Sequence, residues 1–198
     1  MKNTGAWCLL GLLSLGGAAW ALEQQDSRAS ATAGAPATGQ QGAGKEVLQG
    51  EKLATFGGCH DCHTPKIMSA EGPQPDRSRL LSGYPAQAAL PAVPPGVLGP
   101  NRWGALTTND LTAWAGPWGI SFAANLTPDA TGLAAWTLQD FIQTMRTGKH
   151  RGTGRAILPP MPWFDVAVLS DQELKALFAY LKSVPPVSNK VPAPIPPK

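Results

Sequence analysis

Two cysteines separated by two residues, with a histidine directly after the second, stand in the run Gly57-Gly58-Cys59-His60-Asp61-Cys62-His63. That spacing presents both thiols from one turn of chain to the two vinyl groups of a porphyrin, and the adjoining histidine then lies under the iron. Cys59, Cys62 and His63 are therefore candidate residues for covalent attachment and axial ligation of one haem c. A redox dithiol or a zinc site would share part of the pattern. The first expects a βαβ surround and the second needs another pair of Cys or His ligands. Outside the motif only Cys8 and His150 remain, so neither is supported.

A second axial ligand is sought on the far side of the iron. In Leu158-Pro159-Pro160-Met161-Pro162-Trp163 a methionine is held between prolines on a stiff, extended segment, which is a poor way to build a core and a good way to aim a thioether. Met161 is the expected distal ligand, and a His63/Met161 pair is expected to raise the reduction potential. Met68 follows the motif too closely to cross to the other face. Met145 falls on the apolar side of a helix and is expected in the core. His150 is the competitor: as ligand it would lower the potential, and with no second ligand the iron would be open to small molecules.

Helices must position these residues. Val47, Leu48, Gly50, Leu53, Ala54 and Gly57 recur at helical spacing, which predicts a helix over 45–56 leading into the motif. Thr137 and Asp140 have capping-box spacing ahead of Leu138, Phe141, Ile142 and Met145, and Gly148 ends that run. Ser170 and Glu173 repeat the box before the stripe Leu174, Leu177, Phe178 and Leu181, and Pro185 and Pro186 stop it. Residues 64–129 differ: ten of the 20 prolines fall there, excluding long helices over most of it. Gly116-Pro117-Trp118-Gly119 between Trp114 and Ile120 predicts a short β-hairpin. Trp103, Trp114 and Trp118 are expected to supply a core for that segment, with a docking or haem-stacking surface as the alternative. The fold class is mainly α, a single helical domain with a long irregular proline-rich insertion.

The rest of the chain sets the context. Lys2, an apolar run from Ala6 and the Ala19-Trp20-Ala21 site read as an export signal over 1–21, or as an uncleaved anchor that would tether the protein through residues 6–22. Cys8 lies near the start of that apolar run and is expected to leave with it. Residues 22–44 are poor in large apolar side chains and are expected to be a flexible linker, reaching roughly 25 Å as a coil. The domain is expected over 45–186 and a proline-rich tail over 187–198, either a strap or a loose end. The net charge of +3 gives no indication of nucleic acid binding. Arg146, Lys149, His150, Arg151 and Arg155 cluster behind one helix, where they suit its dipole or form a positive rim for propionates or an acidic redox partner. Arg77 and Arg79 are further candidates for propionate contact, with solvated loop arginines as the plain alternative.

Residues 45–186 resemble the bacterial class I cytochrome c fold. The carriers of the resemblance are the helix into Cys59-His60-Asp61-Cys62-His63, the methionine loop at Met161 and the closing helix. The family packs an aromatic of the last helix on a small residue of the first, a role for Tyr180 and Gly50. A narrower similarity is to the cytochrome subunits of membrane-bound alcohol and gluconate dehydrogenases, carried by Asn125 to Asp129, Trp136 to Gly148 and Pro159 to Pro162. Those subunits have three haem motifs and this chain has one. The resemblance implies an exported, periplasmic single-haem electron carrier between respiratory or dehydrogenase partners, itself not an enzyme. Two alternatives stand beside it: a haem enzyme with an open distal site, and a permanent cytochrome subunit of a larger oxidoreductase.

Overall fold

A computed structural model describes residues 38–197. The export signal or anchor, and the linker as far as residue 37, lie outside the described residues. Helix α1, Thr38–Phe56, begins well ahead of Lys45, so the end of the expected linker is helical. A Cβ added to Gly42 or Gly44 would meet nothing within 4 Å, so the helix has no neighbour at these two positions. It continues a helix whose nucleation is already secured further along.

Gly50 decides how α1 meets the closing helix α5, Asp171–Ser183. A Cβ there would come within 1.9 Å of Ala176 O and 2.7 Å of Tyr180 Cβ, so the helices cross in direct backbone contact. This is the Gly50–Tyr180 meeting expected from the family resemblance. The buried side of α1 is Val47, Gly50, Leu53 and Ala54; Leu48, counted with that face in the sequence, points to solvent. Helix α3, Leu138–Thr147, carries the Thr137/Asp140 capping box and ends on left-handed Gly148. Helix α5 carries the Ser170/Glu173 box. Phe141, Met145, Leu174, Leu177, Phe178 and Leu181 form the core between them, with the Phe141 and Phe178 rings 5.3 Å apart. Met145 is thus the core methionine that its spacing predicts.

The insertion is more regular than its prolines suggest. After the short helix α2, Cys59–His63, an antiparallel pair forms from β1, Lys66–Ser69, and β2, Gly72–Pro75. The expected hairpin is present as β4, Ala113–Gly116, and β5, Gly119–Phe122, and β3, Leu106–Thr107, adds to its β4 side. Prolines 73 and 75 hid β2 from the sequence reading, yet an edge strand tolerates them because their missing N–H groups cost no ladder bond. The three tryptophans do not form the expected core: Trp103 is 67% exposed, and Trp114 and Trp118 are half-buried. The interior of the segment is instead Leu81, Tyr84, Ala113 and Ala123, together with the fully enclosed Thr64, Thr112 and Thr127.

Of the two readings of the tail, the strap is observed. Asn189 Nδ2 donates to Ser82 O at 2.7 Å and Tyr84 O at 2.9 Å, and its Oδ1 accepts from Ala86 N. Further on, Ile195 exchanges both backbone hydrogen bonds with Ile120 of β5. Helix α4, Trp163–Val166, completes the chain order between α3 and α5. Among the described residues no helix is long and apolar enough to cross a membrane.

Candidate functional site

The five residues of α2 begin at left-handed Gly58, and the turn holds Cys59 and Cys62 as free, half-buried thiols. Burial pushes the Cys59 thiol up to about 11, and burial likewise raises Cys62. Burial thus favours the thiol over the thiolate at both positions. Lys66 closes the C-terminal end of α2: its ammonium donates to His60 O at 3.1 Å, Thr64 O at 2.7 Å and Asp61 O. A cation on these carbonyls satisfies groups that a helix end leaves without partners.

The two histidines of the motif have different fates. His60 uses both ring nitrogens, Nδ1 at 3.0 Å from Thr64 Oγ1 and Nε2 at 3.1 Å from Tyr180 Oη. It pins α2 to α5. His63 is buried and donates Nδ1–H to Ala124 O at 2.8 Å. A carbonyl can only accept, so this bond places the ring proton on Nδ1 and leaves Nε2 with a free lone pair. No hydrogen bond to Nε2 occurs among the described residues. Burial holds the imidazole below its ordinary pKa, which keeps that lone pair available.

The chain behind His63 is built to hold this carbonyl. His63 O accepts from Gly83 N, and Tyr84 N donates to Ala123 O. Gly83 sits at φ +77°, and a Cβ would lie 2.3 Å from Ala123 O, so segment 81–84 rests directly on the Ala123–Ala124 backbone. Leu81 is wholly buried at φ 58°, a conformation that costs an ordinary residue about 1 kcal/mol or more. Its N–H bonds to Thr64 Oγ1 and its carbonyl accepts from Leu126 N.

Met161 lies partly buried against the same core cluster that Cys59 touches. Its carbonyl accepts from Trp163 N, and the Trp163 ring occupies the space where Gly148 lacks a side chain, 2.4 Å from a Cβ position. His150 takes another place. It is exposed and edge-on to Trp136, at 4.9 Å between ring centroids. Met68 is exposed on β1.

The cationic group is partly committed to structure. Arg146 reaches Ala167 O and pairs with Asp171 at 2.6 Å, while Arg151 lies over Trp136 and donates to Ala135 O. Lys149 and Arg155 remain exposed. Arg79 pairs with Asp76 at 2.7 Å, and Arg77 is exposed.

Two free thiols and a histidine with its outer nitrogen free, on one turn, fit attachment of haem c and ligation of its iron. They do not fit a zinc centre, because among the described residues no three His, Cys, Asp or Glu side chains converge. A family model described as cytochrome c matches residues 47–185. The chain belongs to the cytochrome c family. As such it is a haem c electron carrier. It is similar to the gluconate 2-dehydrogenase cytochrome c subunit of Pantoea cypripedii, 30% identical over 72% of this chain and 24% of that one. It is also similar to the cytochrome c subunit of the quinone alcohol dehydrogenase of Gluconobacter oxydans, 38% identical over 38% of this chain and 16% of that one. The fructose dehydrogenase cytochrome subunit of Gluconobacter japonicus is 34% identical over 40% of this cytochrome and 17% of its own length. This cytochrome spans less than a quarter of the length of each of these relatives.

Sequence reasoning missed the groups behind the motif. Ala124 acts through a backbone carbonyl and leaves no side-chain signal. Gly83 has no side chain to mark its place against the Ala123–Ala124 backbone.

Proposed function

We propose that this cytochrome is an exported single-haem carrier, with haem c bonded through Cys59 and Cys62 and its iron held by His63 and Met161. Haem c, when bound, supplies a one-electron couple at its iron. The residues of the chain fix its surroundings. His63 presents Nε2 because Ala124 O holds the proton on Nδ1, and that bond is the observation that carries the reading. Met161 is partly buried on the core cluster that Cys59 also touches, whereas His150 is exposed and edge-on to Trp136, which supports the methionine over the histidine. Two protein ligands leave no coordination position for substrate chemistry, and a thioether ligand raises the potential.

Electrons would pass to and from redox proteins on the periplasmic side of a bacterial membrane, with residues 6–22 as tether if the signal is retained. A permanent place in a dehydrogenase complex is the second reading. It is supported by relatives named as dehydrogenase cytochrome subunits and by a Trp103 that is 67% exposed. A purified protein that runs as a monodisperse monomer favours the free carrier.

The deciding measurement is the optical spectrum of haem-loaded wild type beside Met161→Ala, oxidised, reduced, and reduced under carbon monoxide. A low-spin wild type with a sulfur-to-iron charge-transfer band, lost in the variant, and carbon monoxide binding far slower than in the variant is expected. A wild type that lacks the band and binds carbon monoxide readily refutes Met161 as ligand and favours the open-haem enzyme.

A further inference from the structure

Residues 159–162 contain three prolines and so offer few N–H groups by which another element could hold them. The segment must be gripped by its carbonyls. Among the described residues its only hydrogen bond to a distant element is from Ser121 Oγ to Pro159 O, at 2.5 Å. Ser121 is 6% exposed, on β5.

That hydroxyl is oriented from the other side. Trp118 Nε1–H donates to Ser121 Oγ at 3.1 Å, so the serine proton is free to point at Pro159. The indole can fold back over its own turn only because Gly116 has no side chain; a Cβ there would lie 2.4 Å from the ring. β5 is also clamped along both edges. β4 pairs on one side, and Ile195 of the strap pairs with Ile120 on the other, at 2.7 and 2.9 Å. Gly119 admits the strap, since a Cβ would meet Ile195 O at 2.1 Å. A little further along the same chain, Ala124 O accepts the hydrogen bond from His63 Nδ1–H.

We propose that Ser121, oriented by Trp118, is the positioning residue for the thioether of Met161. The proposal rests on the reading of Met161 as axial ligand. Its physical content is that proline rings transmit the position of the Pro159 carbonyl to the next residues with little rotational freedom, so one buried hydrogen bond sets how often the thioether leaves the iron. The hairpin then serves both axial residues, by a carbonyl on the histidine side and by a hydroxyl on the methionine side.

The test measures the rate of carbon monoxide binding and the sulfur-to-iron band in the haem-loaded, reduced and oxidised protein respectively. Ser121→Ala, Trp118→Phe, Ser121→Thr and Met161→Ala are compared with wild type. Losing the serine bond is expected to speed carbon monoxide binding about fivefold to tenfold, and losing only the indole N–H about twofold, with Met161→Ala as the upper limit. Ser121→Thr keeps the hydroxyl and is expected to restore the wild-type rate. Should Ser121→Ala fail to load haem, Trp118→Phe decides alone. Wild-type rates in Ser121→Ala and Trp118→Phe beside a fast Met161→Ala overturn the proposal. So does a Ser121→Ala effect that Ser121→Thr does not reverse, since that marks lost packing. A wild type as fast as Met161→Ala instead removes the methionine ligand, and this inference falls with it.

Discussion

The helical half of the molecule and its proline-rich half bury their backbones by different means. In the frame of α1, α3 and α5 the backbone hydrogen bonds are internal to each helix, and apolar side chains such as Phe141, Leu174 and Leu181 fill the space between. From residue 64 to 135 there is little internal ladder, so buried side-chain hydroxyls, carboxylates and amides complete the backbone instead. Thr64, Asp76, Thr112, Asn125 and Thr127 are all enclosed, and each makes hydrogen bonds. The frame tolerates change among apolar residues of similar size, whereas the second half depends on particular donors and acceptors at particular places. The haem site as proposed draws on both: its thiols lie on the short helix that follows α1, and the groups that hydrogen-bond to His63 and to Pro159 come from the other half.

This contrast can be broken most severely at the helix crossing. Gly50→Val places a branched side chain where even a Cβ would lie 1.9 Å from Ala176 O, and the helices must separate. A loss of about 3 kcal/mol or more is expected, read as a collapse of the thermal midpoint and of the yield of haem-loaded protein. Ordinary stability in this variant would mean that the crossing is not tight.

The second half breaks at Asn125. Its Nδ2 donates to Val187 O at 2.8 Å and to Thr131 Oγ1 at 3.0 Å, and its Oδ1 accepts from Thr127 N and Oγ1. Asn125→Ala removes these together and leaves Thr127 N–H buried without its partner. About 2–3 kcal/mol of stability should be lost in urea titration, together with faster amide exchange in the strap at Val187 and Asn189. An apolar substitution of matching volume in the frame, Leu177→Met, should cost less than about 1.5 kcal/mol, and the ratio of the two measures the contrast.

The smallest effect is one of pH. The Asp76 carboxylate accepts from Ser78 Oγ at 2.6 Å, from Ser78 N and from Arg79 Nε, and the Ser78 hydroxyl above all holds its pKa below the usual carboxylate range. The unfolded chain binds this proton at roughly pH 3.9, so the stabilisation is fully present above that value. It is lost as pH falls through the lower folded pKa. Asp76→Asn should flatten the acid limb of the stability curve below about pH 4 and leave its neutral region little changed in shape. An unchanged acid limb would assign acid sensitivity to other carboxylates.

The two halves also differ in how much of them the sequence reveals. Both capping boxes, the stripes on α3 and α5 and the core place of Met145 follow from local spacing, because a helix repeats its environment every few residues. The hairpin around Pro117-Trp118 is legible from its turn. Strand β2 is not, since Pro73 and Pro75 argue against a strand in every local rule and only its position at an edge admits them. Trp103, Trp114 and Trp118 are expected inside because their segment has few other large side chains. Here smaller side chains such as Leu81, Ala113 and Ala123, with the buried threonines, fill the interior, Trp103 is largely exposed, and Trp114 and Trp118 are half-buried.

By itself the sequence determined the chemistry: Cys59, Cys62 and His63 on one turn admit haem attachment, Met161 among prolines offers a thioether, and helix spacing supplies the frame. Those are short-range facts, carried by residue type and by distances of a few positions. Tertiary structure alone decided which nitrogen of His63 is free, what grips the methionine loop, and that the tail is a strap. Each depends on a contact between chain segments far apart in sequence, His63 with Ala124, Ser121 with Pro159 and Ile120 with Ile195, and in each at least one partner is a backbone carbonyl. Every residue possesses that group, so no letter in the sequence marks it, and only the folded chain could show where it points.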